Sequence, residues 1–160
     1  MNNKKSVLIL CTGNSARSQM AEGILRDLAG ESFEVESAGT KPSHVRPEAI
    51  EALKGIGIDI SGHRSKSLDE FVDHPFDYVI TVCDNAKESC PLFLGRAERI
   101  HWSFEDPAAS EGTPEEILEN FRRIRDQISE KLRDFAGKHD QDLLVPLIGT
   151  NPTYEAVSIE

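Results

Sequence analysis

The sequence predicts an α/β domain, a doubly wound and mainly parallel sheet of about four strands with helices on both faces. Two observations carry that reading. Apolar runs of strand type alternate along the chain with segments of helical period. Two of those runs, Val7-Leu8-Ile9-Leu10 and Tyr78-Val79-Ile80-Thr81-Val82, read as buried strands.

Taken in order, Ser6 to Leu10 forms the first strand. Gln19 to Leu28 reads as a helix, with Met20, Ile24 and Leu28 on one face. Phe33 to Ser37 alternates apolar and polar residues, as a half-buried strand does, and Ala38 to Pro42 is a loop. Pro47 sits at a favourable first-turn position for a second helix, which carries Ile50, Leu53 and Ile56 and closes at Gly55 and Gly57. A short helix spans Leu68 to Val72, and Tyr78 to Val82 is a strand that ends at Cys83. Arg99 to Trp102 is a weaker strand, followed by Asp106-Pro107 in a loop. The last helix opens at Thr113-Pro114-Glu115-Glu116, with a Thr cap, Pro at the first position and acids in the first turn. Ile117, Phe121, Ile124, Ile128, Leu132 and Phe135 then mark one buried stripe. Residues 1–139 therefore read as the domain and 140–160 as an acidic tail, in which Leu143-Leu144-Val145 is a candidate short strand.

Composition limits the function. The 160 residues suit a single domain with a sizeable core. A net charge of −10 argues against nucleic acid as a partner, and an anionic substrate would need a local positive site. The apolar runs are too short to span a bilayer, and no signal-length segment follows the basic start Met1-Asn2-Asn3-Lys4-Lys5, so a cytoplasmic monomer is expected. The three cysteines, Cys11, Cys83 and Cys90, are an odd count with no secretion signal, so they are inert or catalytic rather than a disulfide scaffold.

The stretch Cys11-Thr12-Gly13-Asn14-Ser15-Ala16-Arg17-Ser18 supplies the positive site. It places a cysteine at a strand end, an arginine and a serine after a five-residue spacer, and then a helix. A loop of this kind turns backbone N–H groups inward, and the helix N-terminus adds partial positive charge. A tetrahedral oxyanion fits that cradle, with Arg17 gripping two oxygens in a fork. The same field favours a thiolate at Cys11. The plain alternative is a buried structural cysteine beside an unrelated surface arginine.

Cys83 ends a second inferred strand, and Cys90 follows across the polar segment Asp84 to Ser89. If the two strands are neighbours, Cys11 and Cys83 share one edge of the sheet and Cys90 could join them in a thiol relay. Otherwise Cys83 and Cys90 are two ordinary small residues.

With these motifs in place, the chain resembles the thioredoxin-coupled arsenate reductases, which have the low-molecular-weight tyrosine phosphatase fold. The match is carried by Cys11 to Glu22, Ser37-Ala38-Gly39, Val82-Cys83-Asp84, Cys90-Pro91, His101-Trp102 and Asp106-Pro107-Ala108, across roughly residues 6 to 137. The resemblance implies that arsenate, or phosphate or sulfate as analogues, sits on residues 12–18, where Cys11 attacks arsenic. Asp106 would protonate the leaving hydroxide, which calls for a pKa raised by burial or by the bound anion. Cys83 would displace arsenite and form a Cys11–Cys83 disulfide. Cys90 would move that disulfide to Cys83–Cys90 for thioredoxin to reduce, giving arsenic detoxification. Ser18 would hydrogen-bond the Cys11 thiolate.

No metal or organic cofactor is required by that scheme. Asn14, Glu22 and Ser37 match positions that hold potassium in some family members, but Lys66 stands near the place of a further Asp, and its ammonium could take the ion's position. His101 and Trp102 read as packing residues, and Arg46 and Arg64 as solvated ones. The first alternative is a low-molecular-weight protein tyrosine phosphatase using Cys11, Arg17 and Asp106. Against it, the aromatic wall that such enzymes carry after Asp-Pro is replaced by Ala108-Ala109. Weak phosphatase side activity is compatible with either. The second alternative is an oxyanion binder or thiol sensor without turnover.

Overall fold

The computed structural model describes residues 4–84 and 96–139. Cys90 and Leu143 to Val145 lie outside those residues. The strands are β1 (Lys5–Cys11), β2 (Phe33–Gly39), β3 (Tyr78–Thr81) and β4 (Glu98–His101). They pair in parallel in the order β2-β1-β3-β4, the predicted sheet. The helices are α1 (Arg17–Ala29), α2 (Pro47–Lys54) and α3 (Pro114–His139), with 3-10 turns at Leu68–Phe71 and Pro107–Ala109. Among the described residues, α1, α2 and α3 contact one another. No described helix is long and apolar enough to cross a membrane.

The order of the strands positions the site. The chain leaves β1 for β2 on one side and returns as β3 on the other, so β1 lies at a switch point. Leu10 is level with Thr81, and the N–H of Val82 donates to the carbonyl of Leu10 at 3.0 Å. The carboxyl ends of β1 and β3, each leading to a cysteine, therefore lie side by side.

Packing follows the predicted stripes. Phe121, Ile124, Ile128, Leu132 and Phe135 of α3 are all buried, and full burial of such a side chain is worth about 1.5–3 kcal/mol. Phe135 lies between Phe33 of β2 and Tyr78 of β3, at 5.4 and 5.2 Å between ring centres. The start of α3 is a reciprocal capping box. The N–H of Glu116 donates to Oγ1 of Thr113 at 3.1 Å, and the N–H of Thr113 donates to Oε1 of Glu116 at 2.8 Å.

Some boundaries differ from the sequence expectation. Helix α1 begins two residues earlier, at Arg17, because its first turn is the end of the loop after β1. Strand β2 runs on to Gly39, level with Cys11. Helix α2 stops at Lys54, and Ile56 lies beyond it, 44% exposed rather than on the buried face. The turn at Gly57, with φ of 83°, has by then left the helical path. Trp102 lies just past β4, although its N–H still donates to the carbonyl of Thr81 at 2.9 Å.

Candidate active site

Cys11 ends β1 with its side chain buried. The next peptide planes are turned by an outer belt, residues 40–46. The N–H groups of Thr40, Lys41, Ser43 and Arg46 donate to the carbonyls of Cys11, Thr12, Gly13 and Ser15, at 3.3, 2.8, 3.1 and 2.9 Å. The Ser65 hydroxyl adds a bond to the Gly13 carbonyl at 2.9 Å. The C=O and N–H of a trans peptide point opposite ways, so a carbonyl held outward turns the following amide inward. The belt thus favours inward amides at residues 12, 13, 14 and 16, within the stretch 12–18 expected to seat the oxyanion. Gly39 permits the belt to lie this close, because a Cβ there would stand 2.5 Å from the Thr12 carbonyl oxygen and 2.9 Å from the Asn14 nitrogen.

Asn14 fixes the turn. Its φ is 48°, a left-handed value that Asn tolerates better than most residues. The side chain is buried and held at both ends. Nδ2 donates to Oγ of Ser18 and of Ser37 at 2.8 and 2.9 Å. Oδ1 accepts from Gln19 Nε2 and from the Lys66 N–H at 2.9 and 2.8 Å. Ser18, expected to serve the thiolate, accepts from Asn14 at its oxygen and keeps its hydroxyl proton to donate.

Arg17 opens α1 beside the cradle. Its Nη1 donates to the Phe104 carbonyl at 3.0 Å, and Nη2 lies 3.6 Å from Oδ2 of Asp106. Its Nε is buried and has no hydrogen-bond partner among the described residues. A buried donor left in this state is costly, and an oxyanion in the loop would satisfy it.

Cys83 is buried beside Cys11, and Oγ1 of Thr12 lies 3.4 Å from its sulfur. The neighbouring Cys83 thiol, together with burial, pushes the Cys11 thiol well above its ordinary value. The Arg17 charge and the Thr12 N–H pull the other way. The sequence expectation of a thiolate held ionised by the loop alone is thus incomplete. Two adjoining thiols resist carrying two charges, and they titrate as a pair.

Asp106 caps the Pro107–Ala109 turn, accepting from the Ala108 N–H at 3.0 Å. Its side chain is 45% exposed, so the burial half of the expectation for a proton-holding carboxyl is not met.

Glu22, Ser37 and Lys66 gather beneath Asn14. Lys66 Nζ lies 3.2 Å from Oε1 of Glu22, which also accepts from the Ser37 hydroxyl at 2.5 Å. Oε2 of Glu22 takes Arg26 at 2.6 Å. Burial alone would raise the Glu22 pKa, but the Ser37 hydroxyl, Lys66, His63 and Arg26 more than offset it and hold the carboxyl below its usual range. Among the described residues there is no group of three or more His, Cys, Asp or Glu suited to a metal.

Several contributors carried no signal in the sequence. His63 bonds Gln19 at 2.9 Å, and Gln19 supports Asn14. Arg46, read as solvated, donates to the Ala108 carbonyl at 3.0 Å. His101 does more than pack, since its two ring nitrogens lie 2.7 Å from Thr81 Oγ1 and 2.9 Å from Oδ1 of Asp84, the residue after Cys83. These partners lie far apart in the chain, and no spacing rule pairs them. Arg64 is the expected surface group, in an exposed ion pair with Glu70.

Comparison with known proteins agrees with this geometry. The family model "Low molecular weight phosphotyrosine protein phosphatase" matches residues 6–145. An arsenate reductase of Halalkalibacterium halodurans is 46% identical over 134 residues, covering 84% of this chain and 96% of that protein. A solved arsenate reductase in the phosphate-binding state superposes with a TM-score of 0.73 at 35% identity, over 84% of this chain and 98% of that one. The arginine phosphatase YwlE, solved with a phosphorylated active-site serine, superposes at 0.70 with 26% identity, over 86% and 99%.

Proposed function

Since the chain belongs to the low molecular weight phosphotyrosine protein phosphatase family, we propose that it is an arsenate reductase built on that fold, and that it serves arsenic detoxification. The observation that carries this reading is the placement of Cys11 and Cys83 side by side, at the carboxyl ends of the paired strands β1 and β3. Phosphoryl transfer needs one nucleophile, whereas reducing arsenic(V) to arsenic(III) takes two electrons, which two adjoining thiols can supply as they become a disulfide.

Arsenate binds on the amides of residues 12–16, with Arg17 neutralising its charge. The Cys11 sulfur forms a bond to arsenic, and one arsenate oxygen leaves as water after Asp106 gives it a proton. Cys83 then attacks the Cys11 sulfur. The S–As bond breaks, its electron pair stays on arsenic, and arsenite departs from a Cys11–Cys83 disulfide. Cys90, outside the described residues, attacks Cys83 and frees Cys11. A thioredoxin-type dithiol reduces the resulting Cys83–Cys90 disulfide. A cytoplasmic setting, which keeps thiols reduced, suits this cycle.

The chain's own residues replace a potassium ion. The Asn14 oxygen is taken by two N–H donors, and the Lys66 ammonium supplies the positive charge at Glu22. A tyrosine phosphatase is the lesser reading, because Ala108 and Ala109 offer no wall for an aromatic ring.

Disulfide mapping by mass spectrometry after one equivalent of arsenate tests the reading. In the Cys90→Ser protein, about one turnover and a stalled Cys11–Cys83 disulfide are expected. Thiols left fully reduced by arsenate, with p-nitrophenyl phosphate turned over instead, would assign the site to phosphoryl transfer.

A further inference from the structure

We propose that Arg46 is a positioning residue that couples the oxyanion loop to the turn carrying Asp106. The inference rests on the acid role given to Asp106 above.

Arg46 reaches both halves of the site at once. Its main-chain N–H donates to the carbonyl of Ser15 in the loop at 2.9 Å. Its Nη2 donates to the carbonyl of Ala108 at 3.0 Å. The N–H of that same Ala108 donates to Oδ1 of Asp106 at 3.0 Å. Arg46 therefore ties the loop that seats the anion to Ala108, whose N–H holds the Asp106 carboxyl.

The anchor is firm and the cargo is not. Arg46 immediately precedes α2, and its carbonyl accepts from the N–H groups of Ala49 and Ile50 at 3.0 and 3.2 Å. Asp106 is 45% exposed, on a 3-10 turn of three residues. The turn is gripped from both ends by guanidinium groups, Arg17 at the Phe104 carbonyl and Arg46 at the Ala108 carbonyl. Arg17 also belongs to the anion site, whereas Arg46 holds the turn without that duty, beside the flanking contacts of Arg123 with Glu105 and Asn120 with Ser110. A proton donor works only within hydrogen-bond reach of the leaving oxygen, so a turn free to drift loses rate while leaving the anion site intact.

Arg46→Ala tests this, alone and in an Asp106→Asn background. The readouts are the rate of arsenate-driven Cys11–Cys83 disulfide formation, the affinity for inorganic phosphate from protection of Cys11 against iodoacetamide, and amide exchange at residues 108–110. With general acid catalysis worth about 10²–10⁴-fold, Arg46→Ala is expected to slow disulfide formation at least tenfold. Phosphate affinity should stay within about threefold. In Asp106→Asn the added loss should be under about twofold, because coupled residues are not additive. Exchange at 108–110 should quicken without a matching fall in the melting temperature. An unchanged rate, an equal loss in both backgrounds, a matching loss of phosphate affinity or unchanged exchange at 108–110 would each overturn the coupling. If arsenate oxidises no thiol in the unmutated protein, the reductase reading fails by itself, and the exchange measurement still decides whether Arg46 holds the turn.

Discussion

The ammonium of Lys66 lies 3.2 Å from Oε1 of Glu22, both side chains buried under the turn that Asn14 makes in the oxyanion loop. The pair joins a segment after α2 to the middle of α1, and its main chain also serves the loop, since the Lys66 N–H donates to Asn14. A fixed positive charge therefore sits against the Glu22 carboxylate.

Lys66→Asp should convert this built-in charge into an ion requirement. The melting temperature of the variant is expected to rise on replacing choline chloride by potassium chloride, while the unmutated protein gives equal values in both salts. A variant that melts identically in both would show that Lys66 does not stand in for a cation.

Glu22→Gln should destabilise the protein by about 2–4 kcal/mol at neutral pH, by leaving Lys66 and Arg26 short of a partner. The folded pKa of Glu22 is held below the unfolded one. Its contribution is therefore complete above about pH 4.3, the ordinary Glu value, and fades as pH falls through the lower folded value. Urea denaturation of both proteins between pH 3 and pH 7 checks this, and a difference that grows with acid would contradict it.

Cys83→Ala should lower the pKa of Cys11, because the adjoining Cys83 thiol is the largest influence raising it. The iodoacetamide rate profile of Cys11 is expected to move to lower pH in this variant. It should move to higher pH in Arg17→Ala, where the opposing charge is lost. Unmoved profiles would mean that the two thiols do not share their protons.

Asn14→Ala and Asn14→Gly separate conformation from bonding. Both remove the bonds to Ser18, Ser37, Gln19 and Lys66, but only Ala resists the φ of 48°. Both should be destabilised, with Ala the worse by about 1 kcal/mol. Equal melting temperatures would indicate that the loop relaxes out of the left-handed turn.

Gly39→Ala should damage the cradle from behind. The new methyl meets backbone atoms of Thr12 and Asn14, which cannot rotate away as a side chain would. A loss of about 1–3 kcal/mol in stability is expected, with phosphate protection of Cys11 weakened by about tenfold. Undiminished protection would show that the belt can shift outward.

The sheet and the two strand-end cysteines were legible because they are local. A strand-type run ending at Cys11, a cysteine after the Tyr78–Val82 run and the stripe on α3 all sit within short windows whose periods report burial. The place of Lys66 was also legible, by register against the motif, and the structure puts its ammonium on Glu22. Helix starts and ends were less so. Arg17 belongs to both the loop and α1, and the end of α2 turns on a backbone angle at Gly57 that residue type permits but does not dictate.

By itself, the sequence determined a parallel α/β domain and a cysteine–arginine loop between its first strand and first helix. It did so because side-chain period and the strand-to-helix change are properties of neighbouring residues. Only the tertiary structure decided that Cys83 lies beside Cys11, that residues 40–46 bond the loop's carbonyls, and that Arg46 reaches the Asp106 turn. Those contacts join residues 29 or more positions apart. Their existence depends on strand order and on where α2 docks, and no local pattern of residues encodes either.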